Sequence, residues 1–170
     1  MLLNIFDNRV PYNIMDGLWD KSITTDFKLG WVDRDEPEKY DLNIHSDIQP
    51  SFLKSSGILP YFEQCTHDTE WFNNTTLERV ILNLVRSNDV HYIHTHPDRH
   101  VLLYYINLDW RDGWYGETLF YDPYDTDKIS FTSIYKPGRI ILFDGSIPRA
   151  IRPQSIKGPK YRFSLSLFFV

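Results

Sequence analysis

The second half of the chain consists of short runs rich in β-branched and aromatic residues, and turn signals separate these runs. Many short strands with turns between them predict a sandwich, a barrel or a jelly roll. Serines and apolar residues alternate along the last run, as expected of a strand whose two faces differ. The predicted strands are 79–85, 101–106, 117–121, 128–135, 139–143 and 162–169.

Residues 1–78 follow a different pattern, with apolar residues at helical spacing in 11–23 and 50–65. The charged stretch 33–38 between these helices predicts a solvated connection. We expect a single domain over residues 1–170, in which 1–78 form a helical N-terminal support and 79–170 form the core. The predicted fold class is therefore mainly β, a jelly roll with flanking N-terminal helices.

Charge and cysteine content narrow the function. The formal net charge is -5 and no basic stripe is present, which argues against binding to a nucleic-acid backbone. These observations do not exclude a pocket for a nucleobase.

Cys65 is the only cysteine, which rules out an intrachain disulfide and a cysteine-based zinc site. A single free thiol is typical of a reducing compartment. The apolar opening ends at Asp7, too early for a signal peptide, and no run approaches a membrane span. We therefore expect a cytoplasmic protein without a membrane partner.

Four of the six histidines lie within ten residues, just before a predicted strand. Imidazole and carboxylate groups are the usual protein ligands of ferrous iron. His96 and Asp98 are two residues apart, so in an extended segment both side chains would leave the same face and converge on one ion. The cluster consists of His91, His94, His96 and His100.

The stretch 95–110, THPDRHVLLYYINLDW, resembles the metal-binding strands of the prolyl-hydroxylase-like branch of the Fe(II)/2-oxoglutarate-dependent dioxygenases. The similarity continues in the same order through 116–120, 135–143 and 161–165, and spans about residues 79–170. The resemblance implies a double-stranded β-helix that hydroxylates a C–H bond. It also implies Fe(II) and 2-oxoglutarate as cofactor and co-substrate, oxygen as the second co-substrate, and ascorbate as a candidate further cofactor.

Carried over position by position, the resemblance implies that His96 and Asp98 are two of the three iron ligands. Arg162 would hold the distal carboxylate of 2-oxoglutarate, because a planar guanidinium donates two parallel hydrogen bonds to a carboxylate. The other co-substrate-binding positions implied are Tyr105, Thr118, Ser164 and Arg86.

The sequence departs from the family at the third iron ligand. Where the family has a histidine, this chain has Arg149, and no histidine follows His100. Arginine stays protonated and offers no lone pair to a metal. Three outcomes are open. Arg149 points away, and iron is held by His96, Asp98 and either water or a neighbour such as His94 or His100. Alternatively, Arg149 pairs with Asp98 in place of the metal, or the ligand set differs from the family's.

Three functions follow from these alternatives. The first is a dioxygenase, the second is a catalytically impaired or inactive binding protein on the same fold, and the third is a cupin-like small-molecule binder. A peptidyl-proline substrate is implied only by the branch that the chain resembles, and a small molecule stays open. Trp110, Trp114 and Tyr115 either line a substrate mouth or form a packed surface loop.

Overall fold

The computed structural model describes residues 1–29 and 44–170, so the predicted charged connection at 33–38 lies outside the described residues. Ten strands and three helices occur in the described part of the chain. The strands are β1 (Leu3–Phe6), β2 (Lys28–Leu29), β3 (Ile44–Asp47), β4 (Leu77–Val85), β5 (His100–Tyr105), β6 (Thr118–Asp122), β7 (Asp125–Ser133), β8 (Ile140–Asp144), β9 (Arg149–Ile151) and β10 (Arg162–Phe169). The helices are α1 (Tyr12–Ile23), α2 (Pro50–Ser56) and α3 (Leu59–His67).

The strands form two antiparallel sheets. The larger sheet has the order β1-β8-β5-β10-β4-β3-β2, and the smaller has the order β7-β6-β9. All six strands predicted from the sequence are present, with ends shifted by at most a few residues. This arrangement confirms the predicted mainly β, jelly-roll class with helices at the N-terminal end of the chain.

The core is divided into two layers by the larger sheet. One layer packs the helices onto the sheet, where Leu18, Leu53 and Phe62 meet Leu165 and Leu167 of β10. The second layer lies between the two sheets and includes Tyr105, Phe120 and Phe143. The alternation along β10 therefore serves both layers, since its apolar face meets the helices and its serine face meets the small sheet.

The N-terminal 78 residues differ from the prediction in two ways. Their described part contains three strands as well as helices. Of these, β1 pairs with β8 and β3 pairs with β4 in the larger sheet. The single helix predicted over 50–65 is two helices. The break occurs because Gly57 adopts the left-handed conformation at φ 74° and Pro60 begins a new first turn.

Candidate functional site

A cavity opens between the two sheets, at the serine face of β10. It offers about 70 Å³ to the centres of water molecules. One water requires about 10–15 Å³ on this measure and displaces about 30 Å³ of liquid, so the cavity suits a small organic molecule. Its polar lining consists of Asn83, His91, His94, His96, Thr118, Arg149, Ser164 and Ser166. Among the described residues, no aspartate or glutamate lines this cavity.

Arg162 lies directly behind this lining and is fully buried. Its Nε donates to the Gly116 carbonyl oxygen at 2.9 Å, and its two terminal nitrogens donate to Ser164 Oγ at 3.3 Å and Thr118 Oγ1 at 3.4 Å. Within the described part of the chain, no carboxylate lies within 4.0 Å of this guanidinium. Burial lowers the pKa of Arg162, and the nearby Tyr105 is the first of the groups that oppose this effect. The hydrogen bonds of this buried cation therefore go to neutral oxygens, and Glu117 is a more distant negative charge that also opposes the lowering of its pKa.

Two stacked tyrosines support Arg162 from below. The rings of Tyr105 and Tyr135 lie 4.3 Å apart, and the guanidinium lies over both, at 5.2 Å and 4.9 Å from their centroids. Tyr105 donates from its hydroxyl to Thr118 Oγ1 at 2.8 Å, which ties it to a residue that also accepts from Arg162. Attraction of a cation to aromatic faces strengthens when water is excluded, as it is here.

Sequence reasoning did not identify Tyr135 or Asn107 as site residues. The Tyr135 hydroxyl donates to the Phe163 carbonyl oxygen at 2.6 Å and accepts from the Asn107 backbone N–H at 2.9 Å. Asn107 in turn accepts from the Phe163 N–H at 2.7 Å, which fixes the start of β10 next to Arg162. The only sequence signals were a tyrosine and an asparagine next to apolar runs, and neither signal indicates that these side chains bond to the backbone of Phe163.

Arg149 and two histidines form the other wall of the cavity. Arg149 begins β9, is only 7% exposed, and its guanidinium lies 4.8 Å from the Phe143 ring centroid. His94 and Arg149 exchange two backbone hydrogen bonds of 3.0 Å. The rings of His94 and His96 lie 5.3 Å apart, and His96 packs edge-on against Phe168. These contacts bring the predicted third-ligand position next to His94 and His96.

The predicted pairing of His96 with Asp98 needs correction. His96 is buried and lines the cavity, whereas Asp98 is exposed and is not among the lining residues. Pro97 and Asp98 form a turn, and Asp98 has a φ of 62°. The expected convergence assumed an extended segment, and a turn with a positive φ removes the two-residue periodicity on which it depended.

Backbone hydrogen bonds of Gly145 hold this turn against the end of β8. Its carbonyl oxygen accepts from the His96 N–H at 2.7 Å, and its own N–H donates to the Arg99 carbonyl oxygen at 2.8 Å. A Cβ on Gly145 would overlap the His96 carbonyl oxygen and would lie 2.7 Å from that of Arg99. The close approach of the two backbones therefore requires glycine, and it fixes the backbone position of His96.

The described residues do not fit the iron site that the resemblance implies. No group of three or more histidine, cysteine, aspartate or glutamate side chains is placed to hold a metal ion in residues 1–29 and 44–170. Arg149 lines the cavity rather than pointing away, and Asp98 lies outside the cavity rather than pairing with Arg149 inside it.

Of the other predicted site residues, some lie at the cavity and one does not. Thr118 and Ser164 line the cavity, as expected, and Tyr105 contacts Arg162 from behind. The prediction for Arg86 is corrected, because its side chain is 41% exposed and pairs with Asp89 at 2.8 Å instead of lining the cavity. An acidic residue three positions along the same turn offers Arg86 a nearer partner than the site does.

The tryptophan loop packs against the tyrosine stack. The Trp110 ring lies 4.0 Å from Tyr135, and its indole N–H donates to the Tyr115 carbonyl oxygen at 2.8 Å. Trp110, Trp114 and Tyr115 are absent from the cavity lining. These contacts favour a packed loop over a substrate mouth.

His91 is a cavity histidine with a lowered pKa. Burial, together with the positive charge of Arg162, lowers the pKa of His91 to about 4. His91 is therefore a neutral imidazole near neutral pH, and adds no further positive charge beside Arg162.

Across the described helices, none is long and apolar enough to cross a membrane.

Comparisons with known proteins identify the architecture. No family model and no curated protein matches the chain. Among solved structures, a prolyl-4-hydroxylase from Pseudomonas putida is similar with a TM-score of 0.71 at 15% identity, over 98% of this chain and 91% of that one. A viral collagen prolyl hydroxylase from Paramecium Bursaria Chlorella virus-1, solved as a 2-oxoglutarate complex, is similar with a TM-score of 0.68 at 13% identity, over 99% and 96% of the two chains.

The similarity extends beyond prolyl hydroxylases. The 2-oxoglutarate-dependent epimerase SnoN from nogalamycin biosynthesis is similar with a TM-score of 0.71 at 9% identity, over 99% of this chain and 77% of that one. These identities are too low to transfer an activity, but the coverage is nearly complete. The chain therefore has the same double-stranded β-helix fold as these solved structures.

Proposed function

We propose that this chain binds 2-oxoglutarate in the cavity between its sheets, with Arg162 holding the distal carboxylate. One observation carries the proposal: Arg162 is fully buried and no described carboxylate lies within ion-pair distance of it. A buried charge without a counterion is costly, and an anionic ligand would relieve that cost.

The hydrogen bonds of Arg162 leave room for such a ligand. Arginine has five N–H donors, and the contacts to Gly116, Ser164 and Thr118 use at most three of them. Thr118 and Ser164 also line the cavity, so their hydroxyls stand between the guanidinium and the ligand space. A carboxylate reaches the guanidinium when these two side chains rotate aside, and it then accepts charge-assisted hydrogen bonds without movement of the backbone.

The reaction that the fold supports is oxidation of a C–H bond by a 2-oxoglutarate-dependent oxygenase. The structural neighbours are prolyl hydroxylases and a related epimerase, which favours an enzyme of this class. Iron would supply the oxygen chemistry in such an enzyme, but the described donor set does not fit the expected iron site. No catalytic step through iron follows from these side chains.

A second candidate function is binding of 2-oxoglutarate without turnover. The position of Arg149 in the cavity favours it, because a guanidinium repels a divalent cation and cannot coordinate one. We further propose that residues 1–170 work as one domain in the cytoplasm. Ascorbate, and a peptide or small-molecule substrate, belong only to the enzyme proposal.

Calorimetry with two ligands tests the proposed binding. 2-Oxoglutarate and 2-oxobutyrate share the 2-oxo acid end, but only 2-oxoglutarate has the distal carboxylate. We expect 2-oxoglutarate to bind at least about tenfold more tightly, since hydrogen bonds to charged groups contribute about 1.5–3 kcal/mol each. Arg162→Lys should remove most of this difference because it lacks the planar fork.

The control variant is Arg79→Gln, which removes one positive charge from an exposed ion pair with Asp47 on the same sheet. It should keep the preference for 2-oxoglutarate. Equal affinity of the wild type for both ligands, with and without Fe(II), would refute a role for Arg162 in holding the distal carboxylate. Release of carbon dioxide from 2-oxoglutarate by the iron-supplied protein, above a His96→Ala control, would favour the enzyme over the second candidate.

A further inference from the structure

Two neutral side chains in the wall of the cavity have hydrogen-bonding groups to spare. Asn83 of β4 donates from its Nδ2 to Ser166 Oγ of β10 at 3.2 Å. Among the described residues, this is the one hydrogen bond that either side chain makes. An amide carries two N–H donors and a hydroxyl carries one O–H donor, so one N–H of Asn83 and the O–H of Ser166 have no described acceptor.

The surroundings of this pair favour a ligand that accepts hydrogen bonds. Asn83 and Ser166 both line the cavity, and Ser166 is buried. Their neighbours in the lining include the apolar side chains Ile81, Leu103 and Phe168. Buried donors are nearly always hydrogen-bonded in folded proteins, and a donor beside apolar groups binds an acceptor more strongly than a donor in water does. The spare hydrogens therefore suit a ligand that brings acceptor oxygens into the cavity.

The register of the larger sheet fixes the distance from this pair to Ser164. Ser164 and Ser166 are two residues apart in β10 and both line the cavity, so their side chains leave the same face about 7 Å apart. Asn83 is the Cα partner of Ser164, and its side chain extends along the sheet to Ser166. Ser164 accepts a hydrogen bond from Arg162, and so marks the end of the cavity proposed for the distal carboxylate.

The length of 2-oxoglutarate matches this spacing. Its two carboxyl carbons are joined by four C–C bonds, which span about 5 Å when extended. Each carboxylate oxygen accepts from a donor about 2.7–3 Å away. A ligand whose distal carboxylate lies at Ser164 and whose chain follows β10 therefore brings its other carboxylate to Ser166 and Asn83.

We propose that Asn83 and Ser166 bind the carboxylate next to the oxo group of a 2-oxo acid, as two neutral donors at the end of the ligand opposite its distal carboxylate. This inference rests on the proposed binding of 2-oxoglutarate and adds the residues that recognise its 2-oxo acid end. Neutral donors contribute directed hydrogen bonds without adding charge, so this contact depends on where the ligand oxygens lie.

The test compares two ligands that differ only at this end. 4-Oxopentanoate keeps the oxo group and the distal carboxylate of 2-oxoglutarate but has a methyl group in place of the other carboxylate. Calorimetric titration of the intact chain, in EDTA and again with Mn(II), gives the affinity for each ligand. We expect Ser166→Ala and Asn83→Leu each to bind 2-oxoglutarate at least about tenfold more weakly than the wild type, because hydrogen bonds to charged groups are the stronger class. Their affinity for 4-oxopentanoate should change by less than about twofold.

Ser46→Ala is the matched control. Ser46 lies in β3 of the same sheet and is absent from the cavity lining. This variant should bind both ligands as the wild type does. Circular dichroism checks the fold of each variant, and retained binding of 4-oxopentanoate by Ser166→Ala shows that its cavity is intact. A loss for 2-oxoglutarate alone then reports the missing donor.

The outcomes separate this inference from the proposed function. Wild-type affinity for 2-oxoglutarate in both variants would overturn the role of Asn83 and Ser166 and leave the proposed binding intact. An equal loss for both ligands would also overturn that role, because such a loss does not depend on the carboxylate next to the oxo group. Absence of wild-type binding, in EDTA and with Mn(II), would overturn both proposals.

Carbon-13 labels in the two carboxyl groups of 2-oxoglutarate give an independent readout. Both resonances should shift when the ligand binds to the wild type. With saturating Ser166→Ala, the shift of the carboxyl carbon next to the oxo group should shrink, whereas the shift of the distal carboxyl carbon should be kept. A change confined to the distal carbon would contradict the proposed orientation of the ligand.

Discussion

Gly145→Ala tests whether the close backbone contact at the rim of the cavity is as tight as the structure describes. The added methyl group would overlap the His96 carbonyl oxygen and would stand 2.7 Å from the Arg99 carbonyl oxygen. Both contacts are backbone atoms, so no flexible side chain can move aside. The turn at Pro97 and Asp98 must separate from the end of β8.

The cost of this separation can be estimated from the bonds involved. Two backbone hydrogen bonds join the segments, from His96 N–H to Gly145 and from Gly145 N–H to Arg99. Each contributes about 1 kcal/mol, and forcing an extra methyl group into a packed region costs a further 1–3 kcal/mol or so. We therefore expect Gly145→Ala to lower the free energy of unfolding by about 3–5 kcal/mol.

Urea denaturation at constant pH measures this change, and the midpoint of thermal unfolding should fall by roughly 10 °C. Gly17→Ala is the matched control, because a Cβ at Gly17 in α1 meets no atom within 4 Å. That variant should be neutral or stabilised by about 0.5–1 kcal/mol, as alanine is favoured over glycine inside a helix. A Gly145→Ala protein within about 0.5 kcal/mol of the wild type would refute the close contact.

Three further predictions concern single side chains. Asp98→Asn should leave the affinity for 2-oxoglutarate within about twofold in calorimetry, because Asp98 is exposed outside the cavity; a large loss would restore it as a ligand. Because burial lowers the pKa of His91 to about 4 while the unfolded value stays near 6.5, the unfolded state binds the extra proton between these values. The free energy of unfolding should thus fall as pH drops from 6.5 toward 4, and urea titrations should show a flatter profile for His91→Gln. Burial raises the pKa of the Cys65 thiol to about 11, so a thiol reagent at pH 8 should react slowly with the folded protein and rapidly in urea; equal rates would contradict its burial.

The β core was predictable because each of its strands carries a local signal. Along β10 the alternating residues separate into an apolar face against the helices and a serine face toward the cavity. The turn before β8 also depends on local sequence: Gly138 has a φ of 75° and Arg139 donates its N–H to the Lys136 carbonyl oxygen, a geometry that the pair Pro137-Gly138 favours. These features depend on neighbours in sequence, which a single sequence contains.

The strands of the N-terminal segment were not predictable in the same way. β1 has only four residues and acquires its structure by pairing with β8, more than 130 residues later. β2 has two residues and pairs with β3. Strands this short contain too few positions for a period of two to appear, so long-range pairing rather than local pattern determines them.

At the site, the structure brings together most of the residues that the resemblance assigns to the co-substrate, whereas Asp98 lies apart from the cavity that His96 lines. Four of the proposed co-substrate residues, Tyr105, Thr118, Arg162 and Ser164, contact one another in the structure. The expected convergence of the Asp98 and His96 side chains required an extended backbone, whereas Pro97 and Asp98 form a turn. The pairing of His94 with Arg149 could not be foreseen, since four nearby histidines offered equivalent candidates and only the tertiary fold selects among them.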